Sequence, residues 1–167
     1  DSNAGVIAAK AKDNEGITIL GSTLVIKKSV KKPFYGPGIS NHLVMGKWIC
    51  GGASNTGGAI LNKFFTNQQI KELSSQMNTN KSTGIKLTPL AFQGERFPIE
   101  DPNLEPILEP RPVSDVLFLQ ALMEGIAKIE AQGWQRFNEM GISLPEKIIT
   151  IGGGACNQQW RRIRSKE

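Results

Sequence analysis

Residues suited to metal binding or covalent catalysis are scarce in this sequence. Its 167 residues include two cysteines, Cys50 and Cys156, and one histidine, His42. A closed zinc site takes about four Cys or His ligands, so no protein-held metal is expected. Any Ser-His-Asp or Cys-His mechanism would have to run through His42. That residue lies in Asn41-His42-Leu43-Val44-Met45, which reads as strand, and it is expected to be a plain strand histidine. The two cysteines are far apart and both stand beside glycines, a pattern of reduced thiols in a cytoplasmic protein. No apolar run approaches the ~18 residues of a membrane span, so no membrane is expected as a partner. The opening Asp1-Ser2-Asn3-Ala4 has neither the basic start of a secretory signal nor an initiator Met, and reads as starting inside a longer protein. One Tyr and seven Phe are too few to interleave aromatics with basic residues, as a base-stacking surface needs.

What is present suits one globular domain: 39% hydrophobic and 21% charged residues, enough for a core and too apolar for a disordered tail. The net charge of +5 admits anionic ligands, phosphate among them. The positive charges are spread, clustering at Lys27, Lys28, Lys31 and Lys32 and again at Arg161, Arg162, Arg164 and Lys166, so nucleic acid is not the expected partner.

Along the chain, small residues up to Ala11 favour a short helix, with Asp1 or Ser2 typed as its N-cap. Gly16–Lys27 is rich in β-branched residues and predicts a hairpin bent at Gly21. Lys31–Ser40 predicts a loop, His42–Cys50 a single strand, and Gly51–Gly58 a glycine-rich break. Ala59–Phe65 and Asn67–Met77 predict two short helices, the first capped by Ser54 or Asn55. Six of nine prolines fall between Thr88 and Pro112, which excludes helix and predicts a long surface excursion. The surest element is a helix over Asp115–Met140, capped by Ser114 and ended at Gly141. Gly125 and Gly133 inside it call for another element packed closely against them. Pro145–Ile151 predicts a short buried strand, followed by Gly152-Gly153-Gly154 and a helix from near Cys156 or Asn157. Strands and helices alternate, so the class is α/β.

Several segments could bind a ligand. Glycines between a strand and a helix let the backbone pass close to an anion, and Gly152-Gly153-Gly154 exceeds the one glycine a tight turn requires. Gly21-Ser22-Thr23 offers backbone N–H and hydroxyl donors, although small residues are also common at turns. Gly51–Gly58 fits a turn with a helix cap, and Glu95-Arg96 reads locally as a solvated pair. Asp1 is either a helix cap or a general base.

The order of these pieces carries more than any one of them. Asp-x-x-Ala-Gly, Leu20-Gly21-Ser22-Thr23, Gly51-Gly52-Ala53-Ser54-Asn55-Thr56-Gly57-Gly58, Gly94-Glu95-Arg96-Phe97-Pro98, Met123-Glu124-Gly125-Ile126-Ala127 and Gly152-Gly153-Gly154-Ala155-x-Asn157 follow one another over essentially the whole chain. That series resembles the C-terminal half of the FGGY carbohydrate kinases, and within them the D-ribulose kinase (xylulokinase-like) group of cyanobacteria and plants. The resemblance implies an actin-like, ribonuclease-H-type α/β domain, a mixed sheet with flanking helices. It implies ATP and Mg²⁺ as cofactors and phosphorylation of a sugar, a pentulose such as D-ribulose. On it, Asp1 matches the catalytic base, Gly21, Ser22 and Thr23 the phosphate-binding hairpin, and Gly52 and Asn55 the wall of the nucleotide pocket. Gly152, Gly153, Gly154 and Ala155 match the adenosine motif, with Asn157 near the adenine. Mg²⁺ would be held largely through water. The resemblance also implies that residues 1–167 are one kinase domain truncated at both ends, with the sugar-binding N-terminal domain absent. The face that domain would cover is expected to favour self-association. The alternative is a non-catalytic nucleotide-binding or interaction remnant. The location implied is cytoplasmic, or chloroplast in a plant.

Overall fold

The structure is a computed structural model that describes residues 2–167, with side chains from Ala4 onward. Helix α1 (Ser2–Lys10) leads into strands β1 (Glu15–Leu20), β2 (Leu24–Val30), β3 (Ile39–Val44) and β4 (Lys47–Ala53). Helices α2 (Gly58–Phe64), α3 (Asn67–Ser74) and α4 (Asp115–Glu139) follow, then β5 (Lys147–Ile151) and α5 (Gln158–Ser165). The five strands form one mixed sheet in the order β3-β4-β2-β1-β5. Four of them make antiparallel pairs, and β5 joins β1 in parallel.

Alternation along β1 divides the core. Ile17 and Ile19 pack with Ala8 and Ala9 of α1 on one face of the sheet. Leu20 packs on the other face with Phe118, Leu122 and Ile126 of α4. Between them Thr18 donates its hydroxyl to Glu130 Oε2 on α4, 2.6 Å away. Alanines on α1 let the helix lie close to the strands.

The long helix ends as its sequence predicts. Ser114 caps the start by accepting from Leu117 N–H. At the other end Gly141 has φ 100° and donates to Asn138 O, while Ile142 donates to Phe137 O, the paired bonds of a Schellman stop. The two interior glycines have the neighbours expected of them. A Cβ at Gly125 would lie 2.8 Å from Pro89 Cδ, and one at Gly133 would lie 3.0 Å from the Phe97 ring. Gly125→Ala should therefore destabilise the domain by roughly 1–2 kcal/mol in urea unfolding, because overpacking against Pro89 outweighs the ~1 kcal/mol gain in helix propensity.

Several expectations are corrected. His42–Cys50 is not one strand but parts of β3 and β4, which turn at Met45 and Gly46. Both turn residues have positive φ, 52° and 77°, as a two-residue hairpin whose twist matches its strands requires. His42 itself is exposed on the edge strand β3. Gly51 and Gly52 belong to β4 rather than to a break. They are glycines because neighbours occupy their side-chain space: the Phe97 ring would lie 2.5 Å from a Cβ at Gly52. Gly57, not Ser54 or Asn55, precedes α2, and it makes no side-chain cap bond. Strand β5 is a half-exposed edge, with Ile148 38% accessible, rather than a buried strand. Residues 88–112 form the long irregular segment expected, but it is not confined to the surface: Leu90, Glu95 and Phe97 are buried, and Leu90 bridges to Thr56. Among the described residues no helix is long and apolar enough to cross a membrane.

Candidate functional site

Strands β1 and β5 run in parallel and end side by side, Ile19 opposite Ile151. The carboxyl ends of parallel strands are where open α/β sheets bind ligands. Here they open into a cleft of about 930 Å³. One wall is the β1–β2 turn, with Gly21 and Ser22. The second is the 3-10 turn Gly153–Cys156 and the first turn of α5, with Gly153, Gly154, Asn157 and Trp160. The third comes from α2 and α3, with Asn62, Lys71 and Ser74.

The three consecutive glycines have different reasons. Gly152 has φ 96°, and a Cβ there would meet Leu20 O at 2.7 Å, so the chain can leave β5 in this direction only as glycine. A Cβ at Gly154 would strike the Trp160 ring at 2.6 Å. Gly153 has no atom within 4 Å of that position. Packing does not require its glycine, and Gly153 lines the cleft.

The β1–β2 turn is clamped by the start of α2. Gly58 N–H donates to Gly21 O at 2.8 Å, and Ala59 N–H donates to Ser22 O at 3.1 Å. A Cβ at Gly57 would lie 2.6 Å from Ser22 O, so only glycine lets the two segments meet. Asn157 caps α5 by accepting from Trp160 N–H at 2.9 Å, and its amide donates to Ser74 Oγ on α3 at 2.9 Å. Both ends of that side chain are engaged in joining α3 to α5 across the cleft floor.

The structure thus brings Gly21, Ser22, Gly153, Gly154 and Asn157 to one cleft. Thr23 lies in the same turn and Ala155 in the same 3-10 turn, and Gly152 hinges it, although these three do not line the cleft. Gly52 and Asn55 are not brought there. Gly52 lies under the Phe97 ring, and Asn55 donates its amide to Gly94 O and its N–H to Glu95. Asp1 lies outside the described residues. Sequence reasoning missed Lys71, the one cation lining the cleft among the described residues, whose place on a two-turn polar helix gave no signal. It also misread Glu95, whose carboxylate is buried rather than solvated. No lining side chain among the described residues is a carboxylate, so the described part of the cleft offers Mg²⁺ no direct carboxylate ligand.

The two thiols differ in kind. Burial pushes the Cys50 thiol up to about 11, partly opposed by the charge of Lys27, so it is inert at neutral pH. Cys156 is exposed and lines the cleft. Alkylation at pH 8 followed by mass spectrometry should label Cys156 and spare Cys50 in the folded chain.

No protein-family profile matches this sequence. Solved structures do match its fold. The xyloylose kinase from Brucella ovis superimposes with TM-score 0.80 at 19% identity, over 98% of this chain and 36% of that one. The xylulose kinase from Bifidobacterium adolescentis gives TM-score 0.75 at 20% identity, over 96% of this chain and 33% of that one. Plasmodium falciparum glycerol kinase with ADP gives TM-score 0.70 at 19% identity, over 97% of this chain and 35% of that one. The chain spans about a third of the length of these proteins. The likeness establishes the fold, that of the C-terminal domains of sugar kinases in the actin-like ATPase class.

Proposed function

We propose that this chain is the nucleotide-binding half of a carbohydrate kinase that transfers the γ-phosphoryl group of ATP to a sugar, a pentulose such as D-ribulose. The observation that carries this reading is the pairing of two glycine turns, after β1 and after β5, on one cleft with open space at Gly153. The sugar-kinase fold supports it, and one of the solved neighbours is described with ADP. The cleft is large enough for a nucleoside diphosphate.

In this reading the N–H groups and hydroxyls of Ser22 and Thr23 hold phosphate oxygens, and the 3-10 turn together with Trp160 and Lys71 flanks the nucleoside. Asp1 takes the proton from the sugar hydroxyl as its oxygen attacks the γ-phosphorus, and the bond to the β,γ-bridging oxygen breaks to release ADP. Mg²⁺ bound together with the nucleotide would supply charge neutralisation at the phosphates that Ser22 and Thr23 hold. Positioning and charge stabilisation supply most of such a barrier reduction, which suits a site built largely of glycines and hydroxyls. The sugar contacts and the second wall of the active site come from a partner domain, as the length of the solved kinases suggests.

Calorimetric titration with Mg·ADP tests the reading. The chain should bind, and Gly153→Val should bind at least about tenfold more weakly with its unfolding midpoint nearly unchanged, because the added side chain enters open space rather than the core. Bound ADP should also slow alkylation of Cys156. A folded chain that binds no ADP, or a Gly153→Val chain that binds as before, overturns the nucleotide site. Addition of a separately expressed N-terminal kinase domain should then produce ADP with D-ribulose. Silence with every sugar leaves the non-catalytic alternative.

A further inference from the structure

The carboxylate of Glu95 sits outside the cleft, on the proline-rich excursion, yet it is 6% accessible and fully engaged. Its Oε2 accepts from Ser54 Oγ at 2.5 Å. Its Oε1 accepts from the N–H of Asn55 at 2.7 Å and of Arg96 at 2.9 Å. The backbone of Glu95 is fixed in turn by exchanging N–H···O bonds with Asp101. Ser54 Oγ then accepts from Thr56 N–H at 3.0 Å. One buried acid therefore sets the conformation of residues 54–56, where β4 gives way to the approach to α2.

That corner is what holds the β1–β2 turn. Leu24 N–H donates to Thr56 O at 2.7 Å, Ser54 N–H to Leu24 O at 2.9 Å, and the bonds from Gly58 and Ala59 fix the carbonyls of Gly21 and Ser22. A trans peptide is planar, so its N–H points opposite to its C=O. Drawing the carbonyls of Gly21 and Ser22 toward residues 58 and 59 turns the N–H groups of Ser22 and Thr23 the other way. Those two N–H groups are the ones assigned above to the phosphates. We infer that Glu95 is a positioning residue for the phosphate-holding turn: through Ser54 and Asn55 it fixes the segment between β4 and α2 that orients the amides of Ser22 and Thr23. The inference rests on the nucleotide reading for its ligand, but its geometric content stands apart from it.

The experiment compares wild type with Glu95→Gln, which keeps the shape and removes the charge, and with Ser54→Ala, which leaves Glu95 intact and removes its link to Thr56. In calorimetry with Mg·ADP and with adenosine, both variants should bind Mg·ADP about tenfold more weakly while adenosine affinity stays within about twofold. The double variant should be little worse than either single one, as for groups in one hydrogen-bond network. Equal loss for both ligands would show a merely structural carboxylate, and no loss for either would remove the role altogether. If the wild-type chain binds neither ligand, the nucleotide reading fails, and amide exchange in the free chain decides the positioning inference. The Leu24, Gly58 and Ala59 N–H groups, whose bonds hold the turn to this corner, should then exchange at least about tenfold faster in Glu95→Gln relative to Ile26 N–H in the same sheet. An unchanged ratio overturns it.

Discussion

Phe97→Ala should lower the unfolding free energy by about 4–5 kcal/mol, read from urea denaturation, the upper part of the range for a buried Phe. The ring is 3% accessible and sits 5.6 Å from Phe137, centroid to centroid. Its distinctive feature is its other neighbours. A Cβ built at Gly38, at Gly52 or at Gly133 would lie within 2.5 to 3.0 Å of Phe97. A strand, at Gly52, and the long helix, at Gly133, have each given up a side chain to the same ring, while Gly38 faces the Phe97 Cβ and the Arg96 carbonyl. Removing it leaves a space whose walls have no side chains to collapse into it, and cavity cost rises with the volume that fails to close. Gly52→Ala in the wild type should be strongly destabilising, since its Cβ would meet the ring at 2.5 Å. In the Phe97→Ala background, Gly133→Ala should instead recover about 1 kcal/mol, by filling part of the cavity and by helix propensity. A loss under about 2 kcal/mol for Phe97→Ala would show that the strand and the helix close over the gap.

Glu130→Ala should cost about 3–5 kcal/mol, the range for removing one member of a buried ion pair. Arg164 donates to Glu130 from Nε at 2.6 Å and from Nη2 at 2.8 Å, and Thr18 donates to the same carboxylate. The side chains of Arg164 and Glu130 are 10% and 6% accessible. Truncating Glu130 strands the guanidinium and the Thr18 hydroxyl without an acceptor. Replacing Glu130 and Arg164 together by methionine should recover most of the loss, because no charge is then left buried. If the double replacement were as unstable as Glu130→Ala, the cost would lie in packing rather than in the stranded charge. The pair ties α4 to α5, which carries one cleft wall, so Glu130→Ala should also weaken Mg·ADP more than a remote substitution of equal stability cost.

The elements most legible in the sequence were those with local causes. The α4 helix from Ser114 to Gly141 has its cap, its 3.6-residue apolar spacing and its glycine stop all in the sequence, and the structure reproduces them. The hairpin at Gly21 and the glycine turn before α5 have equally local signatures. The misreadings arose where a distant partner decides. Met45 gives no warning that it will adopt positive φ, and the apolar run through it reads as one strand. Gly51 and Gly52 look like a loop until Ser40, Lys27 and Phe97 are seen to occupy the side-chain space. Glu95 beside Arg96 reads as surface charge because its Ser54 partner lies 41 residues away. In the cleft, the glycines announced themselves by composition, whereas Lys71 and Ser74 enter only because α3 packs on α4 and meets Asn157 at the start of α5.

The single parallel junction of the sheet also bears on how the domain assembles. Strands β1 to β4 follow one another closely along the chain and, with α1, can zip up as a local unit. The β5 edge is different: the contact of Asn14 with Glu146 at its start closes a separation of 132 residues. Long loops close slowly and at greater entropic cost than neighbouring hairpins. The half-exposed β5, the 3-10 turn and α5 should therefore dock last and open first, while the antiparallel strands hold together. The cleft straddles that seam, with one glycine turn on the early unit and the other on the late one. A ligand that bridges the two turns would bind only the finished domain, and by mass action it would slow the release of the late segment.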